Sequence, residues 1–334
     1  MKSDVPNKVQ IVGAPIDFGT GRCRLDALSN LRRTPHILTE WFRNRLVCSL
    51  PEPQFITPNY PQLVSKHKTP LKYDIELTAT FLSSYRSVPL SRNTIPLVIG
   101  GDHTISILTA ALARRNFMSN EQLGVIVFDA HSDFNRPLPV AKSRYEIKPG
   151  ETISGNANGM IHSLMGQQCS GDYELSRFCR KFAQIDPSRV VIIGYRTNSY
   201  SDLNKTIRNA SPLLLTASKL READEQTRSF IAKLLVMRAT ANFSKPCYIS
   251  IDFDAVDPRF IPNVLSPVPD GLFIEDVSDM LDRISSFLDP SLLWGFDFSE
   301  LCTSDNYIAE VQAIEPILRS SVSLLDRVCG NSVN

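Results

Sequence analysis

Seven short apolar runs punctuate the chain: VQIVGAP (9–15), IPLVIGG (95–101), LGVIVFDAH (123–131), RVVIIGYR (189–196), PLLLTAS (212–218), PCYISIDFDAV (246–256) and LLWGFDFSEL (292–301). Most are apolar on both faces and rich in β-branched residues, which predicts strands covered on both sides. Between or after them the apolar positions take up a helical period, over 104–117, 173–183, 221–242, 274–287 and 309–327. Buried strands alternating with helices predict a parallel sheet with helices on both faces. Such sheets bind ligands in crevices beyond the carboxyl ends of their strands, and the polar clusters of this chain fall at or just after those ends. Two stretches break the pattern. Residues 50–71 carry five prolines and are expected to wrap the surface, and residues 135–158 form a long polar loop of the kind that serves function. Without an internal repeat, a low-complexity block or an interdomain linker, residues 1–334 are expected to form one domain.

Three strand ends carry the candidate chemistry. In DAHSDFN, period-two spacing sets Asp129, His131 and Asp133 on one side if the segment stays extended. SIDFDAVDP repeats the device with Asp252 and Asp254, and IGGDH adds His103 at the start of a helix, with two glycines that permit close backbone approach. Converging buried carboxylates repel one another and need a positive partner: arginine or lysine, protons, or metal ions. The motifs themselves contain no basic residue. Four carboxylates could balance two divalent ions. Oxygen-rich ligands with two imidazoles suit Mn²⁺ better than thiolate-seeking metals, with Zn²⁺, Co²⁺ and Fe²⁺ also compatible. Each fragment alone is as well explained by caps and salt bridges; their joint occurrence at three strand ends favours a binuclear metal site.

Composition changes this picture little. The chain has 334 residues, 43% of them hydrophobic, and a formal net charge of +1. That is enough apolar material for a large core, and the balance gives no reason to expect nucleic acid or an anionic membrane as partner. No apolar stretch reaches the roughly 18 residues of a membrane span, and MKSDVPNKVQ lacks the apolar centre of a secretory signal. The seven cysteines are scattered with no C-x-x-C pair. Reduced thiols and a cytoplasmic location are therefore expected.

IGGDHTIS, FDAHSDFN and SIDFDAVDP together resemble the three signature motifs of the ureohydrolases: arginase, agmatinase, guanidinobutyrase and formimidoylglutamase. The resemblance runs from about residue 9 to 320. It implies a three-layer α/β/α sandwich around a mainly parallel eight-stranded sheet, and a homotrimer or homohexamer. It implies two Mn²⁺ per subunit. His103, Asp129, Asp133 and Asp252 would bind one ion; His131 and Asp254, with the bridging Asp129 and Asp252, would bind the other. The implied reaction is cleavage of a guanidino C–N bond by a metal-bridging hydroxide, with release of urea. Such ions lower the pKa of bound water towards neutrality. Asp133 resembles the residue that relays the proton, and Glu300, in GFDFSEL, matches the glutamate that pairs with the guanidinium. Ser266, in LSPVPDGL, falls where the family has a hydroxyl near that glutamate.

The loop segment ETISGNANG resembles the S-G-N-x-H-G of arginases. Its Ser154 and Asn156, together with Asn135, match residues that bind a substrate carboxylate. In GYRTNSYSD an ungapped match sets Ser199 and Asp202 at the acidic positions that hold the α-amino group, so only the second is acidic. The family's proton-shuttling histidine is replaced by Asn158, with His162 four residues on, and the loop from Asn135 to Ser154 is longer than in arginases. L-arginine or a close guanidino acid is therefore the leading substrate. Formimidoylglutamate, guanidinobutyrate and agmatine are the alternatives within the family, and a metal-binding pseudoenzyme is the alternative outside catalysis.

Overall fold

The computed structural model describes residues 8–17, 25–48, 51–56, 92–135, 158–166, 184–196 and 210–330. Its centre is an eight-stranded sheet in which every pairing is parallel. The strands are β1 (Lys8–Ala14), β2 (Gln54–Phe55), β3 (Thr94–Gly100), β4 (Leu123–Phe128), β5 (Ile185–Tyr195), β6 (Leu213–Thr216), β7 (Cys247–Asp252) and β8 (Leu293–Ser299), in the order β2-β1-β3-β8-β7-β4-β5-β6. The described helices are α1 (Leu25–Arg43), α2 (Ile105–Asn116), α3 (Ile161–Met165), α4 (Ala217–Glu222), α5 (Glu225–Ala239), α6 (Ile274–Phe287) and α7 (Tyr307–Val328).

Strand side chains alternate between two apolar layers, which is why both faces of the sequence runs are hydrophobic. Val9, Ile11, Leu97, Ile99, Ile126, Phe128, Ile249, Ile251 and Phe298 pack with α1, α5, α6 and α7 on one face. Val12, Val98, Val125, Val127, Ile192 and Tyr248 pack with α2 and α3 on the other. The result is the expected α/β/α sandwich. Among the described residues, no helix is long and apolar enough to cross a membrane.

Several boundaries differ from the sequence pattern, each for a local reason. β2 is two residues long, too short to show a period, and pairs with β1 at Val12 and Gly13. The sequence pattern does not show α1, because Pro35 interrupts it and its start is highly charged; its buried Leu38 and Phe42 carry it into the core despite the proline. The helix expected over 221–242 is two helices. Asp224 stands between them and accepts a 2.8 Å hydrogen bond from the Thr227 amide, capping α5. The helix expected over 173–183 lies outside the described residues. The chemistry-bearing strands end earlier than their apolar runs suggest: β4 stops at Phe128, β7 at Asp252 and β8 at Ser299.

Gly101 fixes the crowded end of β3. A Cβ there would stand 1.7 Å from the Ile16 carbonyl oxygen. At Gly295, in the middle of β8, the first atom that an added Cβ would meet is Thr109 Cγ2, at 3.0 Å. Gly101→Ala is therefore expected to cost about 1–3 kcal/mol or more through overpacking, and Gly295→Ala clearly less. The midpoints of urea unfolding compare the two; equal losses would contradict the close approach at Gly101.

Candidate metal centre

The carboxyl ends of β3, β8, β7 and β4, four adjacent strands, converge on one cluster. After β3, the Asp102 carboxylate accepts from the Thr104 amide at 2.9 Å, turning the chain into α2 and leaving His103 in the bend. After β4, Asp129 Oδ1 accepts from the His131 amide at 2.5 Å. After β7, Asp252 Oδ1 accepts from the Asp254 amide at 2.9 Å, closing a single 3₁₀ turn over 253–255. These turns correct the expectation that the D-x-H-x-D residues share one face of an extended strand. The ladder ends at Phe128, and Asp133 sits in the left-handed region with φ 51°. Carboxylates that cap their own i+2 amides gather the side chains, rather than the pleat.

His103 Nδ1 lies 2.9 Å from Asp133 Oδ2 and 3.2 Å from both Asp129 Oδ2 and Asp252 Oδ2. His131 Nδ1 lies 2.7 Å from Asp254 Oδ2 and 3.6 Å from Asp129 Oδ1. Asp129 thus offers one oxygen to each imidazole, and three donor groups of metal-binding size emerge: His103, Asp129 and Asp133; Asp129, His131 and Asp254; Asp252, Asp254 and Glu300. All are buried except the His131 side chain, which is 30% exposed and marks the open side of the cluster. Glu300 follows β8, also in the left-handed region (φ 64°), with its amide donating to the Gly101 carbonyl at 2.7 Å. A non-glycine residue persists in that region only where its surroundings over-determine it. The cluster contains two such residues.

Among the described residues, the ion pairs of Asp129, Asp133, Asp252 and Asp254 are to these two histidines, not to arginine or lysine. Burial works against a charged His103, but its contacts with Asp129 and Asp133 and the charge of Asp252 outweigh that and hold its pKa well above the ordinary value. His131 is raised in the same way, burial being overcome chiefly by Asp254. Burial and the neighbouring Asp129 push Asp133 up to about 6. Burial and Asp254 raise both Asp252 and Glu300 well above the carboxylate range. Left to protons alone, the cluster must retain several. Glu300 Oε2 is buried without a hydrogen-bond partner. Such a donor set, carboxylates and imidazoles without thiolates, fits hard or borderline divalent cations, and the residues present fit a binuclear centre.

Behind the cluster lies a polar seam that the sequence pattern does not reveal. His103 Nε2 is 3.2 Å from Ser250 Oγ, which donates at 2.5 Å to Asp297 Oδ1; Ser106 Oγ donates to the same carboxylate at 3.1 Å. With its proton committed to Asp297, Ser250 accepts from Nε2–H, so that when a cation displaces the Nδ1 proton the remaining hydrogen of His103 stays on Nε2. This is the tautomer that metal ligation needs. The available signal was a polar residue at a core position of each strand, Ser250 in YISID and Asp297 in WGFDF.

The remaining sequence candidates are distributed unevenly. Asn135 is half-buried and its amide donates to the Gly159 carbonyl at 3.0 Å. Ser266 is half-buried and follows Leu265, whose amide donates to the Glu300 carbonyl at 3.1 Å. Asn158 reaches the cluster directly, its Nδ2 donating to Glu300 Oε1 at 3.1 Å. His162 does not take the position of the missing histidine. It is fully buried, with Nδ1 bonded to the Ser132 carbonyl at 2.9 Å, and burial and His103 depress its pKa to about 4. Ser154, Asn156, Ser199 and Asp202 lie outside the described residues.

A profile of the Arginase family matches residues 7–307. An arginase from Bacillus caldovelox is 32% identical over 187 residues, 55% of this chain and 54% of the relative, so that alignment spans about half of the relative's length. An arginase from Staphylococcus aureus (strain COL) is 27% identical over 90% of this chain and 93% of its own. Among solved structures, the native arginase from Bacillus caldovelox superposes with a TM-score of 0.71 at 23% identity, over 96% of this chain and 98% of that one. The Entamoeba histolytica arginase in complex with L-ornithine gives 0.69 at 21% identity, over 97% and 99%. At these identities the superpositions speak for the fold.

Arg196, just after β5, ties the loops beside the cluster. Its guanidinium donates to the carbonyls of Asp254 (2.5 Å), Val268 (2.7 Å), Ala255 (3.0 Å), Pro269 (3.0 Å) and Gly194 (3.1 Å). A lysine keeps the charge but not the fan of donors. Arg196→Lys is expected to destabilise the protein by about 2 kcal/mol and to speed amide exchange at 254–256. Unchanged exchange there would remove the residue from the support of the site.

Proposed function

Because this chain belongs to the arginase family, we propose that it is a binuclear manganese hydrolase that releases urea from L-arginine or a close guanidino acid. The observation that carries the reading is the pair of imidazole–carboxylate groups sharing Asp129, buried apart from the His131 side chain and free of arginine or lysine ion pairs among the described residues. In this reading His103, Asp129, Asp133 and Asp252 hold one ion, and His131, Asp254, Asp129 and Asp252 hold the other. When bound, two such ions supply Lewis acidity and water of lowered pKa.

The chain's own residues have distinct tasks. The Glu300 carboxylate draws in the guanidinium, a role supported by its burial and its unpartnered Oε2. The Asp133 oxygen not turned to His103 takes up a proton and returns it to the departing amine. Asn135, Ser154 and Asn156 hold the substrate carboxylate through neutral hydrogen bonds, Asp202 its α-amino group, and Ser266 lines the approach to Glu300. The active form is proposed to be a trimer or hexamer.

One observation favours a second reading. Asn158, at the position of the family's proton-carrying histidine, donates to Glu300 Oε1, and an amide cannot carry a proton at neutral pH. It keeps Glu300 oriented while removing one route for proton exchange. A protein that binds metal and guanidino ligand but turns over slowly is the corresponding alternative.

The Mn²⁺-loaded protein is expected to release urea from arginine faster than from agmatine, measured across a guanidino and formimidoyl panel; equal or faster turnover of agmatine would reject the carboxylate role of Ser154 and Asn156. Asp129→Ala is expected to lose both ions and His103→Ala chiefly one, as counted by metal analysis after gel filtration. Full occupancy in Asp129→Ala would overturn its shared position.

A further inference from the structure

His162 is a buried histidine that the proposed reaction does not use, yet it touches both members of the His103–Asp133 pair. Its ring stands edge-on to that of His103, with centroids 6.1 Å apart at 86°, and beside Phe134 at 5.2 Å. Its Nδ1 donates to the Ser132 carbonyl at 2.9 Å, and its backbone amide donates to the Asp133 carbonyl at 3.0 Å. Those two carbonyls belong to the peptide groups on either side of the Asp133 Cα. One histidine therefore pins both planes that define the left-handed backbone of Asp133 (φ 51°). Its Nε2 is buried without a partner, so Nδ1 is the ring atom that does the holding.

We infer that His162 is a positioning residue for the metal centre: its Nδ1–H locks the Ser132–Asp133 peptide and so keeps the Asp133 carboxylate against His103 Nδ1. Left-handed backbone at a non-glycine residue relaxes unless its neighbours prevent it. The bond from the His162 amide survives any ordinary substitution. The bond from the side chain does not, and losing that donor releases one of the two restraints on the Ser132–Asp133 peptide, which is then free to rotate. That rotation carries Asp133 away from His103. The ion shared by His103 and Asp133 should feel the loss, while the ion held by His131 and Asp254 should not. The inference rests on the metal reading above and deepens it.

The side-chain lengths allow a sharp test. The amide nitrogen of asparagine lies as many bonds from Cβ as histidine Nδ1; that of glutamine lies one bond further. Metal-free wild type, His162→Asn, His162→Gln and His162→Leu are titrated with Mn²⁺ by calorimetry and by electron paramagnetic resonance, with thermal midpoints recorded alongside. His162→Gln and His162→Leu are expected to weaken one of the two ions by about 10–100-fold, the usual effect of removing an outer-shell partner. The spectrum should pass from a coupled pair to an isolated ion at low loading. His162→Asn is expected to restore both ions. A purely structural role would lower the thermal midpoints without separating Asn from Gln in metal affinity. Should His162→Leu fail to fold, the Asn–Gln comparison decides. Equal metal affinities in those two variants, whether high or low, overturn the inference alone. Wild type that binds fewer than two ions overturns it together with the metal reading.

Discussion

Mutual repulsion among buried carboxylates is the constraint on which the rest of this structure depends. Asp129, Asp133, Asp252, Asp254 and Glu300 converge with two imidazoles in a space from which water is largely excluded. No polypeptide gathers that much like charge without a compensating cation or retained protons. The local backbone is arranged to keep the gathering intact. Aspartates cap their own turns, Ser250 and Asp297 orient His103 from behind, and Arg196 fastens the turn that bears Asp254. Each of these contacts would be unremarkable elsewhere. Together they hold groups that would otherwise move apart.

Much of this is legible in the chain. Apolar runs such as LGVIVF and CYISI mark buried parallel strands because neither face meets water, and the three polar motifs at their ends mark the convergence. What the pattern hides, it hides for physical reasons. Periodicity says nothing about where a ladder stops, so the aspartates after Phe128, and Asp254 after β7, look like strand residues although tight turns carry them. α1 is masked by Pro35 inside a helix whose stability comes from packing rather than propensity. The Ser250–Asp297 seam is invisible because a lone serine or aspartate in an apolar run shows no partner until the fold brings β7 and β8 together.

The two residues with left-handed backbone in the cluster, Asp133 and Glu300, differ in how they are held. Glu300 is anchored through its amide to Gly101 and through its carbonyl to Leu265, so two neighbouring loops fix it independently of its side chain. Asp133 depends on the 158–166 segment, the same stretch that sends Asn158 to Glu300 Oε1. One short piece of chain therefore touches both ends of the cluster.

The order of the sheet carries a consequence for assembly in the cell. β8 is the last of the eight strands to be synthesised, yet it lies between β3 and β7. Until it arrives, the β2-β1-β3 and β7-β4-β5-β6 portions share no ladder, and His103 belongs to one while Asp129 and Asp252 belong to the other. A nascent chain still lacking β8 has two unjoined halves and no complete cradle for cations. In the proposed binuclear reading, binding of both cations requires that β8 has been made and inserted, and a chain truncated before residue 293 would leave His103 in a portion that shares no ladder with that of Asp129 and Asp252.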